Sequence, residues 1–439
     1  MDIRLTHGQA TAKTIEAISS KSYVHRLLIA AALSGEYIEV KTNIVSKDME
    51  ATMRAVGKLT VPAQTPLRLP DHKDDRVIDC GESGSTARFI LPLAALLSDG
   101  ATITGSGKLP ERPMGPLCSV LRAAGVSVSD DHLPITVSGR PHSGSYEIPG
   151  NVSSQFISGL LFMLPLLDGD SHLKVTGPFE SAAYVDMTID VLTRFGIRIN
   201  KTPDGFDIPG NQKYSKSSNL SDRSLPLTIK AEGDWSNGAY IMAIGALGCG
   251  RIFDSLSITG LNPESIQGDR AVVEIFSRFG IDVDIVPAAE GDTAEYVIKS
   301  GPTQPVNTDC SQIPDLVPAL AVIAAFTEGE NRFRNVSRLR MKESDRVEAI
   351  VEMLGAIGIK VDITRDGDTE DMIVHGAGRS SRDLRIRTFN DHRIAMAAAA
   401  IAAAVDTPVV IEDAMAVNKS YPGFYEVIQK IGLESEPIG

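Results

Sequence analysis

The sequence predicts an α/β protein of two domains, each built from three βαβαββ repeats with buried helices, an inside-out α/β barrel. Three observations predict it. One pattern returns six times along the 439 residues: a polar cluster, an Ala/Leu-rich helix, a Gly or Asp, then a short β-branched strand. The first helix of each copy is apolar nearly all round, which requires burial on both sides, whereas the second helix has one wet face. Parallel strands need helical crossovers, so helices inside and sheets outside form a coherent packing.

The copies follow in order. The first opens at Ser20-Lys21-Ser22, runs as a helix through Leu27 to Leu33, breaks at Gly35 and gives the strand Ile38-Glu39-Val40. The second opens at Glu82-Ser83-Gly84-Ser85-Thr86, runs from Phe89 to Leu97 and gives Ala101 to Thr104. The third opens at Ser153-Ser154-Gln155 and ends in Leu173-Lys174-Val175. The fourth opens at Asp234-Trp235-Ser236-Asn237 and runs through Ile241 to Leu247. The fifth opens near Asp315 and covers Val317 to Phe326. The sixth opens at Asn390-Asp391-His392-Arg393 and closes on Val409-Val410-Ile411. Second helices are expected at Met187 to Phe195, Val272 to Phe279 and Val347 to Leu354. Each is followed by a Gly (Gly196, Gly280, Gly358) placed for a left-handed helix C-cap. The hydrophilic stretch Asn211 to Arg223 separates the third and fourth copies. Chain crossings between domains are expected near Ile18 to Lys21 and near Ala231 to Asp234, giving residues 1–19 with 231–439 as one domain and 20–230 as the other.

Bulk properties narrow the function. A net charge of −13 repels polyanions at long range, which argues against a general nucleic-acid or membrane-surface binder but leaves room for a local basic cleft. Cys80, Cys118, Cys249 and Cys310 are widely spaced, with no CxxC pair and no His at zinc-ligand spacing; reduced thiols in a cytoplasmic, metal-free protein are expected. The first seven residues lack an apolar signal core, and the longest apolar run, Ile394 to Val405, is too short for a bilayer span.

The polar residues gather at the openings of the buried helices. A helix N-terminus offers free N–H groups and a partial positive charge, a ready seat for phosphate or carboxylate. Taken singly, each Ser, Thr, Asp or Asn there is an N-cap. Six such openings, several with Arg or Lys beside them, shift the reading toward a site for anions. Lys21, Ser22 and Arg26 lie within about a turn of one another. The turn around Gly84 lacks the P-loop Lys and spacing, so it does not point to a nucleotide. Arg112 sits between Pro110 and Pro113, which fix its backbone. The run Arg340-Met341-Lys342-Glu343-Ser344-Asp345-Arg346 reads as a solvated helix start. Alternatively, Lys342, Glu343 and Arg346 surround one anion and supply a proton-transfer carboxylate. Asp315 is either a cap or a base.

The ordered set Lys21-Ser22 with Arg26, Arg112-Pro113, Ser153-Ser154-Gln155, Ile313-Pro314-Asp315, Lys342-Glu343-Ser344-Asp345-Arg346, Asn390-Asp391-His392-Arg393 and Lys419 resembles the 5-enolpyruvylshikimate-3-phosphate synthase family across nearly the whole chain. The resemblance implies the enolpyruvyl transferase fold, with the active site in the cleft between the two domains. It implies transfer of the enolpyruvyl group of phosphoenolpyruvate to the 5-hydroxyl of shikimate 3-phosphate, without cofactor, in a monomer. It assigns Lys21, Ser22, Arg26, Ser153, Ser154, Gln155, Ser181, Tyr184, Asp315 and Lys342 to shikimate 3-phosphate. It assigns Lys21, Gly84, Arg112, Gln155, Arg346, Arg393 and Lys419 to phosphoenolpyruvate. Asp315, Glu343, Lys21 and His392 are the catalytic set it implies, with Asp315 as base, Glu343 as proton donor and Asp391 beside His392 in support. Four places depart from the common pattern: Glu82 stands where many members carry Asn, Arg338 where some carry Asn, Val24 where Ser is frequent, and Ile18-Ser19 where a Pro-Gly hinge is. The enolpyruvyl transferase acting on UDP-N-acetylglucosamine shares the fold but usually has a reactive Cys in the loop around Arg112. Here that loop has none, and Cys118 lies downstream.

Overall fold

The computed structural model describes residues 1–59, 76–98, 100–216, 227–289, 291–377 and 384–438. The chain forms two compact units, Met1–Ser20 with Glu232–Gly439, and Lys21–Ala231. Part of the hydrophilic stretch expected at Asn211 to Arg223 lies outside the described residues.

Among the described residues each unit carries three sheets, and the repeat is legible in their topology. In one, Val77–Asp79 pairs parallel with Ala101–Thr104, which pairs antiparallel with Ile135–Ser138, with Ser127–Val128 outermost. The helix Gly84–Leu97 makes the parallel crossover. The same order is built from Ser145–Pro149, Ser171–Thr176, Gly205–Ile208 and Asn200–Thr202, and again from Asn307–Asp309, Gly329–Arg334, Thr369–Gly376 and Lys360–Asp366. Two copies are interrupted. Thr14–Glu16 pairs parallel with Leu256–Leu261, and Leu227–Lys230 pairs parallel with Ile38–Lys41. Thr14–Glu16 and Leu256–Leu261 bracket the whole of the other unit in sequence, whereas Ile38–Lys41 and Leu227–Lys230 stand near the two ends of their own unit; in both cases the chain changes unit between a strand and a helix of the repeat. The sixth copy closes on the beginning of the chain: Asp2–His7 lies between Val409–Glu412 and Leu433–Ile438.

The uniformly apolar helices are the buried ones. Every residue of Trp235–Gly248, Val317–Ala325 and His392–Ala404 is buried, and the three helices pack on one another. In the other unit Gly84–Leu97 packs on Ser154–Met163. Contact there is close because Gly159 has no side chain; a Cβ at that position would run into the backbone carbonyl of Arg88. Burying each Leu, Ile or Phe of these helices is worth about 1.5–3 kcal/mol. The helices Ala182–Arg194, Val272–Arg278 and Arg346–Ala356 keep a wet face, and Gly196, Gly280 and Gly358 follow them at φ of 77°, 75° and 79°. The first of these helices starts five residues earlier than the sequence pattern implies, because Ser181 takes a left-handed conformation that turns the chain directly into Ala182.

Candidate active-site clusters

In the unit Glu232–Gly439 with Met1–Ser20, the openings of two buried helices and the Lys342–Arg346 segment build one charged cluster around Arg346. This guanidinium is 1% exposed. It donates from Nε to Asp391 Oδ2 at 2.8 Å, from Nη1 to Asp315 Oδ1 at 2.9 Å and from Nη2 to Glu343 Oε2 at 2.7 Å. The sequence reading has Arg346 facing an anionic substrate; in the structure its three nitrogens each hold a carboxylate of the protein. Arg393 donates to Asp315 Oδ2 at 2.9 Å, and Lys342 Nζ lies 3.7 Å from Asp315 Oδ1. Burial alone would raise the pKa of Asp315, but Arg393, Lys342 and Arg346 together overcome that and hold it well below 3.8. Asp391 is fully buried. It caps its helix by accepting from the Arg393 N–H at 2.9 Å and also accepts from the Ser344 hydroxyl at 3.0 Å. Asp315 does not cap. The following helix starts at Val317 with Leu316 before it, and the carboxylate is turned toward the cations.

The remaining members of this cluster sit on its flanks. His392 is 2% exposed, with Nδ1 4.0 Å from Asp391 Oδ1. Lys419 Nζ donates to the Asn390 carbonyl at 2.7 Å, tying the end of the short helical turn Ala414–Lys419 to the Asn390–Arg393 opening. Tyr240 donates from its hydroxyl to the Asp315 carbonyl at 3.1 Å, fixing the backbone on which the carboxylate stands. Asp269, 1% exposed and held by the Ser236 hydroxyl, is pushed up to about 6 by burial and by the nearby charge of Asp315.

In the unit Lys21–Ala231 the candidate residues gather mainly at three helix openings, those at Lys21, Gly84 and Ser154. Lys21 Nζ pairs with Asp48 at 2.9 Å. Arg26, 2% exposed, donates to the Thr188 hydroxyl at 2.8 Å, to the Ser22 carbonyl at 2.7 Å and to the Tyr184 carbonyl at 2.8 Å, and stacks over Phe89. Burial lowers it to about 10, so it stays a cation at neutral pH. The Arg26 contacts join Ser22 and Tyr184, and Ser181 stands at the start of the Tyr184 helix.

Ser153 caps the helix of Ser154 by accepting from the Gln155 N–H at 3.3 Å. The Gln155 amide donates to Ser85 at 2.8 Å and accepts from Arg88 at 2.6 Å. Gly84 lies against Arg112: a methyl group there would come within 2.7 Å of its guanidinium. A buried chain of hydroxyls runs from His25 Nδ1 to Thr52 at 2.6 Å, on to Thr86 at 2.6 Å and to the capping Ser83 at 2.7 Å. It ties the Lys21 helix to the Gly84 turn. Burial, then the charges of Lys21 and Arg26, hold His25 well below 6.5, so the imidazole in this chain is neutral.

The structure therefore brings Asp315, Lys342, Glu343, Arg346 and Arg393 together in one unit. In the other it joins Ser22, Arg26 and Tyr184, and sets Gln155 next to the Gly84 turn. Arg88 and Asp48 escaped the sequence reading. Arg88 carried a signal, a cation four residues into an otherwise apolar helix. Asp48 carried none, because its link to Lys21 spans 27 residues.

A protein-family model described as EPSP synthase (3-phosphoshikimate 1-carboxyvinyltransferase) matches residues 5–428. A 3-phosphoshikimate 1-carboxyvinyltransferase of Clostridium kluyveri is 38% identical over 427 residues, 94% of each chain. Another from Clostridium novyi is 35% identical over 433 residues, 94% of this chain and 93% of the relative. Among solved structures, an EPSP synthase from Acinetobacter baumannii superposes with a TM-score of 0.75 at 21% identity, covering 99% of both chains. The enolpyruvyl transferase NikO from Streptomyces tendae gives 0.70 at 17%, covering 99% of this chain and 98% of its own. With the family matched over nearly its full length, and with relatives above a third identical throughout, this chain belongs to the EPSP synthase family, the 3-phosphoshikimate 1-carboxyvinyltransferases.

Proposed function

We propose that the Asp315–Arg346 cluster and the helix openings at Lys21, Gly84 and Ser153 serve one reaction. The chain is an enzyme that transfers the enolpyruvyl group of phosphoenolpyruvate to shikimate 3-phosphate, releasing phosphate. The observation that carries the site assignment is a pair of carboxylates, Asp315 and Glu343, held on the two Nη atoms of one buried guanidinium at 2.9 and 2.7 Å; it supports Asp315 as the proton acceptor and Glu343 as the proton donor.

In this reading the 5-hydroxyl oxygen of shikimate 3-phosphate attacks C2 of phosphoenolpyruvate while Asp315 takes its proton. Glu343 delivers a proton to the methylene carbon, giving a tetrahedral adduct. The C2–O bond to phosphate then breaks, the methyl group returns a proton, and the enol ether is left. Without substrate, three cations hold Asp315 as a weak base. Anionic substrates compete for those cations, draw Lys342 and Arg393 toward themselves and leave the carboxylate free to accept a proton. Lys21, Ser22, Arg26, Ser153, Ser154, Gln155, Ser181, Tyr184 and Lys342 bind shikimate 3-phosphate. Lys21, Gly84, Arg112, Gln155, Arg346, Arg393 and Lys419 bind phosphoenolpyruvate, with His392 in support of the proton transfers. The enzyme acts as a cytoplasmic monomer. Among the described residues no helix is long and apolar enough to cross a membrane.

Phosphate release from phosphoenolpyruvate tests the reading, with shikimate 3-phosphate and UDP-N-acetylglucosamine compared as acceptors. Release only with the shikimate ester is expected. Release only with the nucleotide sugar points to the sister enzyme, and release with neither to a non-catalytic anion binder.

Lys342 gives a pH test. Burial lowers its pKa to about 8 against the pull of Asp315, with Arg338 and Arg346 pushing the same way. The lysine is a cation below that pH and neutral above it, so kcat/KM for shikimate 3-phosphate should fall as pH rises through about 8. Bound phosphate favours the cation, so kcat should hold to higher pH. Lys342→Arg, whose guanidinium stays charged, should move the limb in kcat/KM out of reach. A limb that stays near pH 8 in that variant removes Lys342 from phosphate binding.

A further inference from the structure

The charged run Arg340–Arg346 contains one cation that the reaction above does not use. Arg340 donates from Nε to Glu370 Oε2 at 2.6 Å and from Nη1 to Asp345 Oδ2 at 2.9 Å and Glu348 Oε1 at 3.0 Å. Its pair with Asp345 closes a ring across the four residues Met341 to Ser344, and Lys342 and Glu343 are in the middle of that ring.

Both ends of the ring are anchored. Asp345 uses its other oxygen, Oδ1, to cap the helix Arg346–Ala356, accepting from the N–H groups of Val347 and Glu348 at 3.1 Å each. Glu370 is 5% exposed and belongs to the strand Thr369–Gly376. Its N–H donates to Ser337 at 2.7 Å, its carbonyl accepts from the Val336 N–H at 2.8 Å, and its second carboxylate oxygen takes Arg365 at 2.7 Å. The hydrogen bond from Arg340 leads the interactions that hold the Glu370 carboxyl below its ordinary range. On the inner side, Ser344 donates to Asp391 and Arg346 to Glu343.

We propose that Arg340 is a positioning residue for the reaction. It clamps the Lys342–Glu343 loop to the helix cap at Asp345 and to the sheet at Glu370, and thereby holds the proton-donating carboxylate at its reacting distance. This rests on the roles given above to Lys342 and Glu343. The physical need is plain: these two side chains stand on a four-residue irregular segment, and a displacement of about 1 Å at a proton-transfer group costs on the order of a hundredfold in rate. A lysine cannot replace the clamp, because one ammonium does not present a planar fork to carboxylates on two sides.

The test is steady-state kinetics on Arg340→Ala, Arg340→Lys and Glu370→Ala, with melting temperatures and with Glu343→Gln as reference. Arg340→Ala should lose about 10- to 100-fold in kcat, Arg340→Lys should recover little, and Glu370→Ala, which removes the acceptor of Arg340 Nε and keeps the arginine, should fall in the same direction. Guanidinium added at low millimolar concentration, far below denaturing levels, should restore several-fold of the activity of Arg340→Ala and none of that of Glu343→Gln. Arg340→Ala within about twofold of the parent, beside an inactive Glu343→Gln, overturns the clamp alone. So does a fall in melting temperature with unchanged kcat per folded enzyme, or a loss of kcat that guanidinium leaves untouched. Full activity in Glu343→Gln overturns the underlying reading of the site.

Discussion

Glu343→Gln and Asp315→Asn should each lower kcat by roughly 10²–10⁴-fold, the range expected when a positioned proton-transfer group is removed. Both changes keep the side-chain shape, and both leave Arg346 a hydrogen-bond acceptor, so the loss belongs to proton transfer and the fold should survive. The two variants separate in a second measurement. Proton delivery by Glu343 makes a methyl group out of the methylene carbon of phosphoenolpyruvate. On reversal that methyl returns any of its three hydrogens, so phosphoenolpyruvate incubated with enzyme and shikimate 3-phosphate in D₂O should take up deuterium. Glu343→Gln should abolish this exchange. Proton magnetic resonance of the vinyl hydrogens reads it directly, and exchange at the parental rate in Glu343→Gln would take that residue out of the role. Asp315 acts on the other side of the same step. Three cations surround it, and removing its charge leaves them to the substrates. Asp315→Asn should therefore keep or lower the KM for phosphoenolpyruvate while kcat collapses, the pattern of a group used in the transition state and not in ground-state binding.

How far the sequence carried is clearest at the helix openings. Apolar periodicity and the Gly after each second helix mark the repeat, because burial on all sides and a left-handed C-cap leave local signatures. The caps at Ser83, Ser153, Asp234 and Asp391 are likewise local, each accepting from an N–H two or three residues on. Partner choice is not local. Asp345 and Asp391 look alike in sequence, a carboxylate opening a helix. One spans the Arg340 clamp at the margin of the cluster, while the other lies fully buried under Arg346, 45 residues from it in sequence. Arg340 and Glu370 are 30 residues apart, and only the antiparallel pairing of Gly329–Arg334 with Thr369–Gly376 brings the strand of one near the turn of the other. The charge run 340–346 reads either as a solvated helix start or as a group around an anion, because sequence spacing does not tell which of its members faces inward.

Arg346 is the member that faces inward furthest, and its removal should have the largest effect on stability. Arg346→Met keeps most of the apolar stem but withdraws the donor shared by Asp391, Asp315 and Glu343. Asp391 is 0% exposed, so water does not replace the guanidinium, and the Ser344 hydroxyl and the Arg393 N–H are left to carry its charge. Removing one partner of a buried ion pair costs about 3–5 kcal/mol, because the charge left behind is desolvated and uncompensated. At about 2–4 °C per kcal/mol for a folding unit of this size, the melting temperature should drop by roughly 6–20 °C. The loss should also depend on pH in a defined direction. In the parent protein the cations hold the folded-state pKa of Asp315 well below 3.8. That contribution to stability is fully present above the unfolded value and disappears as pH falls through the folded one. Taking Arg346 away removes part of the depression, so the variant has less of this stability to lose in acid. The difference in unfolding free energy between parent and variant should be greatest near neutral pH and narrow as pH drops below about 4. A difference that stays constant or widens in acid would mean that Arg346 stabilises the unit by packing its stem, with the three carboxylates indifferent to its charge.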